Sequence, residues 1–318
     1  MSLLRKSVAL VLGGAVFFLL AGLAAIWAPD QPLSALTPRW APPPSQFVPV
    51  DGLQVHLRDE GPRNDPLPIV LLHGTSDSLH TWDGWAQALS PRRRVIRFDL
   101  AGFGLTGPSA DNDYAIARYV RQVVAVLDHL GVPRVVLAGN SLGGQIAWAT
   151  ALAAPARVAQ LVLVDAGGYA MAPQDVPLAF RLAQVGGVRR AMEYFLPRGL
   201  VQASVRNVYG DPSKVSPELV DRYYDMALRA GNRRALAYRV DEARVDESAR
   251  IRTLVLPTLI LWGGRDRLIP LSSGQRFASD IAGSRLVVWN ELGHLPHQED
   301  PQGTVAVLMR FLDGALVN

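Results

Sequence analysis

The chain has 318 residues, of which 49% are hydrophobic and none is cysteine. This length suffices for one large α/β core with appendages, and the lack of cysteine excludes disulfides, thiolate metal sites and a cysteine nucleophile. The net charge is +4, with 32 basic residues dispersed among 28 acidic ones, so the composition does not indicate a nucleic-acid partner.

The N-terminal segment contains an uncharged run, residues 7–28, that follows Arg5 and Lys6. Because a helix rises about 1.5 Å per residue, this run is long enough to cross a bilayer core of roughly 30 Å. We expect residues 1–28 to form a retained transmembrane anchor, with the catalytic domain on the extracytoplasmic (periplasmic) side. A cleavable signal segment, which would release a secreted protein, is the alternative.

Seven prolines lie between residues 29 and 49, and three of them are consecutive at 42–44. Proline lacks the backbone N–H that sheet ladders and helix interiors require. We therefore expect this stretch neither to pair in a sheet nor to continue a helix, and residues 29–45 to form an extended linker.

Beyond the linker, short apolar runs alternate with segments of helical spacing. Strands are predicted at residues 54–58, 69–72, 95–98, 134–138, 161–164, 258–262 and 285–289, and helices at 82–89, 114–130, 142–154 and 304–312. Such alternation is typical of an α/β fold with a mostly parallel central sheet, helices on both faces, and chemistry at the carboxyl ends of the strands.

The segment from residue 168 to residue 250 differs from the rest, because its apolar residues recur at helical intervals without a clear strand. This pattern predicts a helical cap inserted into the sheet-forming part of the chain. The core is then made of residues 46–167 and 251–318.

Residues 139–143 read Gly-Asn-Ser-Leu-Gly, at the junction of a predicted strand and a predicted helix. A serine at such a sharp turn needs small neighbours two residues to either side, which Gly139 and Gly143 supply. The helix also directs its free N–H groups and positive dipole end at the serine. Ser141 is therefore the candidate nucleophile.

A serine hydroxyl needs a base within hydrogen-bond reach and a third group that orients the base. His294 follows the last predicted strand, at the sheet edge that carries Ser141, and is preferred to His297. Asp266 directly follows the preceding strand and is the preferred orienting acid. Asp165 ends an earlier strand in the same way and remains a competitor.

The turn after the second predicted strand begins with His73 and Gly74. Its backbone can turn toward Ser141, so the N–H groups of Thr75 and Leu142 are the candidate oxyanion-hole donors. We expect His73 to shape this loop. Three further histidines are expected to be structural: His56 on an early strand, His80 at a helix start and His129 near a helix end.

The motifs His73-Gly74, Gly139 to Gly144, Asp266 and Gly293-His294, with the loop at 99–104, together resemble the α/β-hydrolase superfamily over residues 46–315. The resemblance implies that Ser141 is the nucleophile, His294 the general acid and base, and Asp266 the orienting acid, with a covalent acyl-enzyme intermediate. No cluster of metal-ligand residues is apparent, so we expect neither a metal nor another cofactor.

A carboxylic ester of hydrophobic character is the default substrate of such a serine hydrolase. The sequence of residues 140–144 is similar to that of hydrolases that cleave carbon–carbon bonds in ring-fission products of aromatic degradation. Ser76, Asp77 and Leu295 depart from the pattern of that branch. A cofactor-free haloperoxidase-like activity uses the same triad. A membrane-tethered protein that only binds a ligand is the non-enzymatic alternative, against which the complete triad argues.

Overall fold

An eight-stranded sheet forms the centre of the protein. A computed structural model describes residues 13–14, 17–18, 21–22, 24, 26–170, 187, 193–242 and 246–315. The strands are, in chain order, β1 (Gln46–Val50), β2 (Leu53–Glu60), β3 (Ile69–Leu72), β4 (Val95–Phe98), β5 (Val135–Asn140), β6 (Val158–Val164), β7 (Thr258–Gly263) and β8 (Arg285–Trp289).

The strands lie in the order β1-β2-β4-β3-β5-β6-β7-β8, and β3 to β8 run parallel to one another. At one edge, β1 and β2 pair antiparallel with their neighbours. Every residue of β3, β4, β5 and β7 is buried, as expected for parallel strands that helices cover on both faces. The carboxyl ends of the parallel strands therefore meet at one edge of the sheet.

Helices cover both faces of this sheet. The helices of the described residues are, in chain order, α1 (Leu33–Trp40), α2 (Asp83–Leu89), α3 (Ile116–His129), α4 (Leu142–Ala153), α5 (Arg198–Val208), α6 (Pro217–Leu228), α7 (Asn232–Asp241), α8 (Leu271–Asp280), α9 (Pro296–Glu299) and α10 (Pro301–Leu312). Val70 and Leu72 of β3 belong to the apolar cluster under α3, α4 and α8, whereas Ile69 and Leu71 belong to the cluster under α2 and α10. This alternation follows from the two-residue period of a strand.

The described residues between β6 and β7 form helices α5, α6 and α7 and contribute no strand to the sheet. Val205 and Val220 of these helices share a buried cluster with Leu295, which follows β8. Residues 171–186, 188–192 and 243–245 of the predicted cap lie outside the described residues. We keep residues 168–250 as the proposed extent of the cap, because its described part is a helical insertion.

The prediction of a transmembrane helix in the N-terminal segment is wrong. In the part of the chain that the structure describes, no helix has the length and apolar character needed to cross a bilayer; residues 1–12, 15–16, 19–20, 23 and 25 lie outside that part. The end of the apolar run contacts protein: the Ala28 N–H donates to the Tyr194 carbonyl at 3.0 Å, and Trp27 forms a β-bridge with Phe195. The membrane association and the periplasmic location were inferred from that helix, so these two predictions are not supported either.

The proline-rich stretch also differs from the expected extended linker. Residues Leu33–Trp40 form α1, which Pro32 precedes, and Leu36 packs with Leu105 and Met226. Strand β1 pairs with β2 despite Pro49, because an edge strand needs hydrogen bonds on one side only. The prediction failed here because it treated proline as excluding regular structure at positions where one missing N–H is tolerated.

Candidate active site

A strained turn joins β5 to α4. Ser141 stands at this turn with φ 54° and ψ −116°, a backbone conformation that few non-glycine residues adopt. The turn is close enough that a Cβ on Gly139 would overlap the backbone of Gly143. The Ser141 carbonyl accepts hydrogen bonds from the N–H groups of Gln145 at 3.0 Å and Gly167 at 2.9 Å. These contacts hold the serine at the N-terminus of α4, where the N–H groups of the first turn have no partner within the helix.

The loop after β8 brings His294 to the loop after β7. His294 Nδ1 lies 2.7 Å from Asp266 Oδ2, and both side chains are at most 5% exposed. Asp266 Oδ1 accepts further hydrogen bonds from the N–H groups of Leu268 at 2.7 Å and Ile269 at 3.0 Å. Because an ionised carboxylate only accepts, the His294 proton lies on Nδ1, and Nε2 is left as an acceptor.

Among the described residues, no hydrogen bond joins the Ser141 hydroxyl to the His294 ring. The two residues stand on adjacent loops: the buried Asn140 donates through Nδ2 to the His294 carbonyl at 3.0 Å and to the Val164 carbonyl at 3.1 Å. Catalytic hydrogen bonds are often long in the absence of substrate. The Asn140 side chain therefore fixes the spacing between the serine turn and the histidine loop, a role that the sequence did not indicate.

Glu299 is a second residue that sequence reasoning missed. Its buried carboxylate accepts from the Gly293 N–H, next to His294, at 2.6 Å. The Gly210 N–H lies 3.0 and 2.9 Å from its two oxygens, and the Asp211 N–H donates to it at 3.2 Å. The His294 N–H itself donates to the Val208 carbonyl of α5 at 2.7 Å. Glu299 thus ties the histidine loop to the α5 end of the insertion, through contacts that have no signature in local sequence.

The loop after β3 lies against the serine turn. A Cβ on Gly74 would stand 3.1 Å from the Cβ of Ser141, so glycine lets the two segments approach closely without a shift of either. His73 Nδ1 donates to the Gly74 carbonyl at 2.7 Å, and its Nε2 accepts from the Leu100 N–H at 3.0 Å. His73 therefore shapes the loop, as expected, and within the described residues the Thr75 N–H makes no hydrogen bond.

Asp165, the competing acid, lies behind the pair and not in contact with His294 Nδ1. It is fully buried, and its Oδ1 accepts from the Gly263 N–H at 3.0 Å. Burial raises the pKa of Asp165 well above its usual value, and the neighbouring Asp266 carboxylate raises it further. The geometry pairs His294 with Asp266, and leaves Asp165 as a neighbour of that pair.

Asp165, Asp266 and His294 also form the one group of described residues whose ligand-type atoms, all within 4.8 Å of one another, are close enough to hold a metal ion. However, His294 Nδ1 and Asp266 Oδ2 bond to each other, and two backbone N–H groups occupy Asp266 Oδ1. A cation would have to displace these hydrogen bonds. The donor set therefore suits the hydrogen-bonded His294–Asp266 pair better than a metal.

The remaining histidines of the described core occupy structural positions. His56 Nδ1 lies 2.8 Å from Asp99 Oδ2, with both groups fully buried. Although burial acts to raise the pKa of Asp99, its contacts with His56 and His73 outweigh that effect and hold the pKa below its usual value. His297 stacks on Trp82, with ring centroids 4.0 Å apart, and burial lowers the pKa of His297 well below its usual value. Neither histidine contacts the serine turn by a hydrogen bond.

Comparison with known proteins identifies the family. Residues 68–301 match the family described as alpha/beta hydrolase fold. A 2-hydroxy-6-oxo-2,4-heptadienoate hydrolase of Pseudomonas putida is 33% identical over 84% of this chain and 95% of that protein. A meta-cleavage product hydrolase of Pseudomonas fluorescens has a TM-score of 0.73 at 26% identity, over 85% of this chain and 98% of that one.

A solved structure described as a membrane phospholipase A matches over a longer range, 99% of both chains, with a TM-score of 0.74 at 25% identity. The extent of the family match, with the parallel sheet and the serine turn, agrees with the resemblance found in the sequence. The chain therefore belongs to the α/β-hydrolase fold family, as an enzyme of the hydrolase class.

Proposed function

We propose that the protein is a serine hydrolase in which Ser141, His294 and Asp266 form the catalytic triad. The observation that carries this proposal is the 2.7 Å hydrogen bond between His294 and Asp266, made beside a serine held in a strained turn at a helix N-terminus. Asp266 fixes the ring so that Nε2 faces outward as the base.

The reaction begins with attack of Ser141 Oγ on a substrate carbonyl carbon, while His294 Nε2 takes the hydroxyl proton. The N–H groups of Thr75 and Leu142 stabilise the negative charge that develops on the carbonyl oxygen. His294 then returns the proton to the leaving group. A water molecule, activated by the same ring, releases the acyl group from Ser141.

For the bond that is broken, we favour a carbon–carbon bond next to a ketone. Three similar proteins support this choice: a 2-hydroxy-6-oxo-2,4-heptadienoate hydrolase and two 2-hydroxymuconate semialdehyde hydrolases. In such a substrate the leaving group is a carbon atom, which must receive a proton as the bond breaks. This substrate class was the alternative in the sequence analysis, where the ester came first.

A carboxylic ester is the second candidate, because the likeness to a membrane phospholipase A spans nearly the whole chain, including the segment before β1. Leu295 also supports it: this residue, which departs from the pattern of the carbon–carbon hydrolases, is buried in an aliphatic cluster with Val205 and Val220. The same triad serves both reactions, so the substrate and not the nucleophile distinguishes them.

The test is to measure kcat/KM for a 2-hydroxy-6-oxo-dienoate and for p-nitrophenyl esters of increasing acyl length. Carbon–carbon hydrolysis is supported if the dienoate is the better substrate, and the ester reaction is supported if an ester is. With either substrate, Ser141→Ala should lower kcat by about a thousandfold or more. The control is Ser272→Ala, an exposed serine on α8. Activity retained in Ser141→Ala would reject the assigned nucleophile.

A further inference from the structure

Asp165 is a buried carboxyl beside the triad to which the proposed mechanism gives no role. It directly follows β6 with φ 43°, in the left-handed region that favours glycine. Its N–H donates to the Leu261 carbonyl at 3.0 Å, and its Oδ1 accepts from the Gly263 N–H at 3.0 Å. Strained backbone of this kind persists where the surrounding structure demands a particular side-chain position.

The second oxygen of Asp165 has no hydrogen-bond donor. Oδ2 is buried and, within the described part of the chain, no N–H or O–H group donates to it. Its neighbour is Asp266, whose carboxylate lies within 4.8 Å of both Asp165 and His294. Asp266 already accepts three hydrogen bonds, from His294 and from two backbone N–H groups.

The charged groups around Asp165 argue against a second negative charge. Asp266 is one neighbour, Glu299 contributes a further carboxylate, and His294 is a third titratable group close by. Two buried carboxylates this close cannot both ionise without a large cost. Because Asp266 has three donors and Asp165 has one, the negative charge is better stabilised on Asp266.

We infer that Asp165 is a positioning residue of the triad: its carboxyl group is protonated and donates a hydrogen bond from Oδ2 to Asp266, which holds Asp266 against His294. This inference rests on the proposed function of the triad. Among the described residues, Asp165 makes no hydrogen bond to Ser141. It acts by completing the set of donors around Asp266, in the way that outer hydrogen bonds orient a catalytic carboxylate.

Kinetics of two variants test the role of the donor. Asp165→Ala removes the hydrogen bond, and we expect kcat to fall by about tenfold to a hundredfold with little change in KM. Asp165→Asn keeps an N–H donor of similar shape, and should restore kcat to within about threefold of the wild type. Wild-type kcat in a folded Asp165→Ala protein, or a loss in Asp165→Asn as large as that in Asp165→Ala, would overturn the inference.

The protonation of Asp165 has a separate test that needs no substrate and stays valid if Asp165→Ala does not fold. A carboxyl that stays protonated in the fold stabilises it at low pH, and this contribution is lost as pH rises above the pKa of the unfolded chain. From about pH 4 upward, the unfolding equilibrium constant of the wild type should therefore rise relative to that of Asp165→Asn, by about tenfold per pH unit until the folded carboxyl ionises. A ratio that stays constant from pH 4 to pH 7 would overturn the inference.

The two proposals fail in different ways. Turnover that survives in Ser141→Ala rejects the catalytic triad, whereas the stability comparison still reports the state of Asp165. If Ser141→Ala is inactive and the ratio of unfolding constants does not change with pH, the triad stands and the Asp165 inference is rejected.

Discussion

At the scale of single residues, the orientation of His294 depends on Asp266. The carboxylate holds Nδ1 at 2.7 Å, and replacing it with an amide removes the charge that stabilises a protonated ring. We expect Asp266→Asn to lower kcat by about three to four orders of magnitude, and Asp165→Asn to cost far less. Steady-state kinetics of the two variants, measured side by side, check this order. A larger loss in Asp165→Asn would reassign the acid.

Glu299 carries the second prediction at this scale. Four hydrogen bonds from the backbone N–H groups of Gly293, Gly210 and Asp211 converge on its carboxylate. In Glu299→Gln the amide –NH2 cannot accept from these donors, so we expect a loss of about 1 to 3 kcal/mol in the free energy of unfolding. Urea denaturation measures the loss. Glu291→Gln, an exposed residue of the same loop, is the control, and an equal effect in both variants would contradict this role.

At the scale of elements, α1 fastens the segment before the sheet to the helical insertion. The indole N–H of Trp40 donates to Asp225 Oδ2 of α6 at 2.8 Å, and Arg39 pairs with Asp221 and Asp225. Surface ion pairs of this kind contribute little. The apolar contact of Leu36, which is 5% exposed and packs with Leu105 and Met226, adds a buried attachment.

Removing that contact should loosen α1. Leu36→Ala leaves a cavity between Leu105 and Met226, and the expected loss in the free energy of unfolding is roughly 2 to 5 kcal/mol. Hydrogen exchange should increase in α1 and α6, and urea denaturation gives the overall change. The matched control is Leu200→Ala, since Leu200 is 46% exposed on α5. Unchanged exchange in both helices would show that α1 is not fastened by this leucine.

At the scale of the whole molecule, buried histidines make stability depend on pH. Burial lowers the pKa of His80 to about 3 and lowers the pKa of His297 well below its usual value, so both stay neutral in the fold. The unfolded chain takes up these protons below about pH 6.5. Stability is therefore complete above that pH and is lost as pH falls toward 3, by at most about 1.4 kcal/mol per pH unit for each histidine.

Chemical denaturation of the wild type and of His80→Gln at pH 7 and pH 5 checks this prediction. Glutamine does not titrate, so the variant should lose less stability than the wild type on going from pH 7 to pH 5. The sign of the difference between the two stability losses is the test, because other groups titrate in the same pH range. An equal loss in both proteins would contradict a neutral His80 in the fold.

The serine turn, the order of strands and helices, and the loops that carry His294 and Asp266 could be predicted from the sequence, because backbone sterics and hydrophobic periodicity act over short stretches of chain. Hydropathy, in contrast, does not by itself establish a membrane span, and no helix among the described residues is long and apolar enough to cross a bilayer. The tertiary structure alone decided that His294 pairs with Asp266 and not Asp165, and it alone revealed Glu299 and Asn140. These contacts join residues on separate loops, and their distances depend on how the whole core packs.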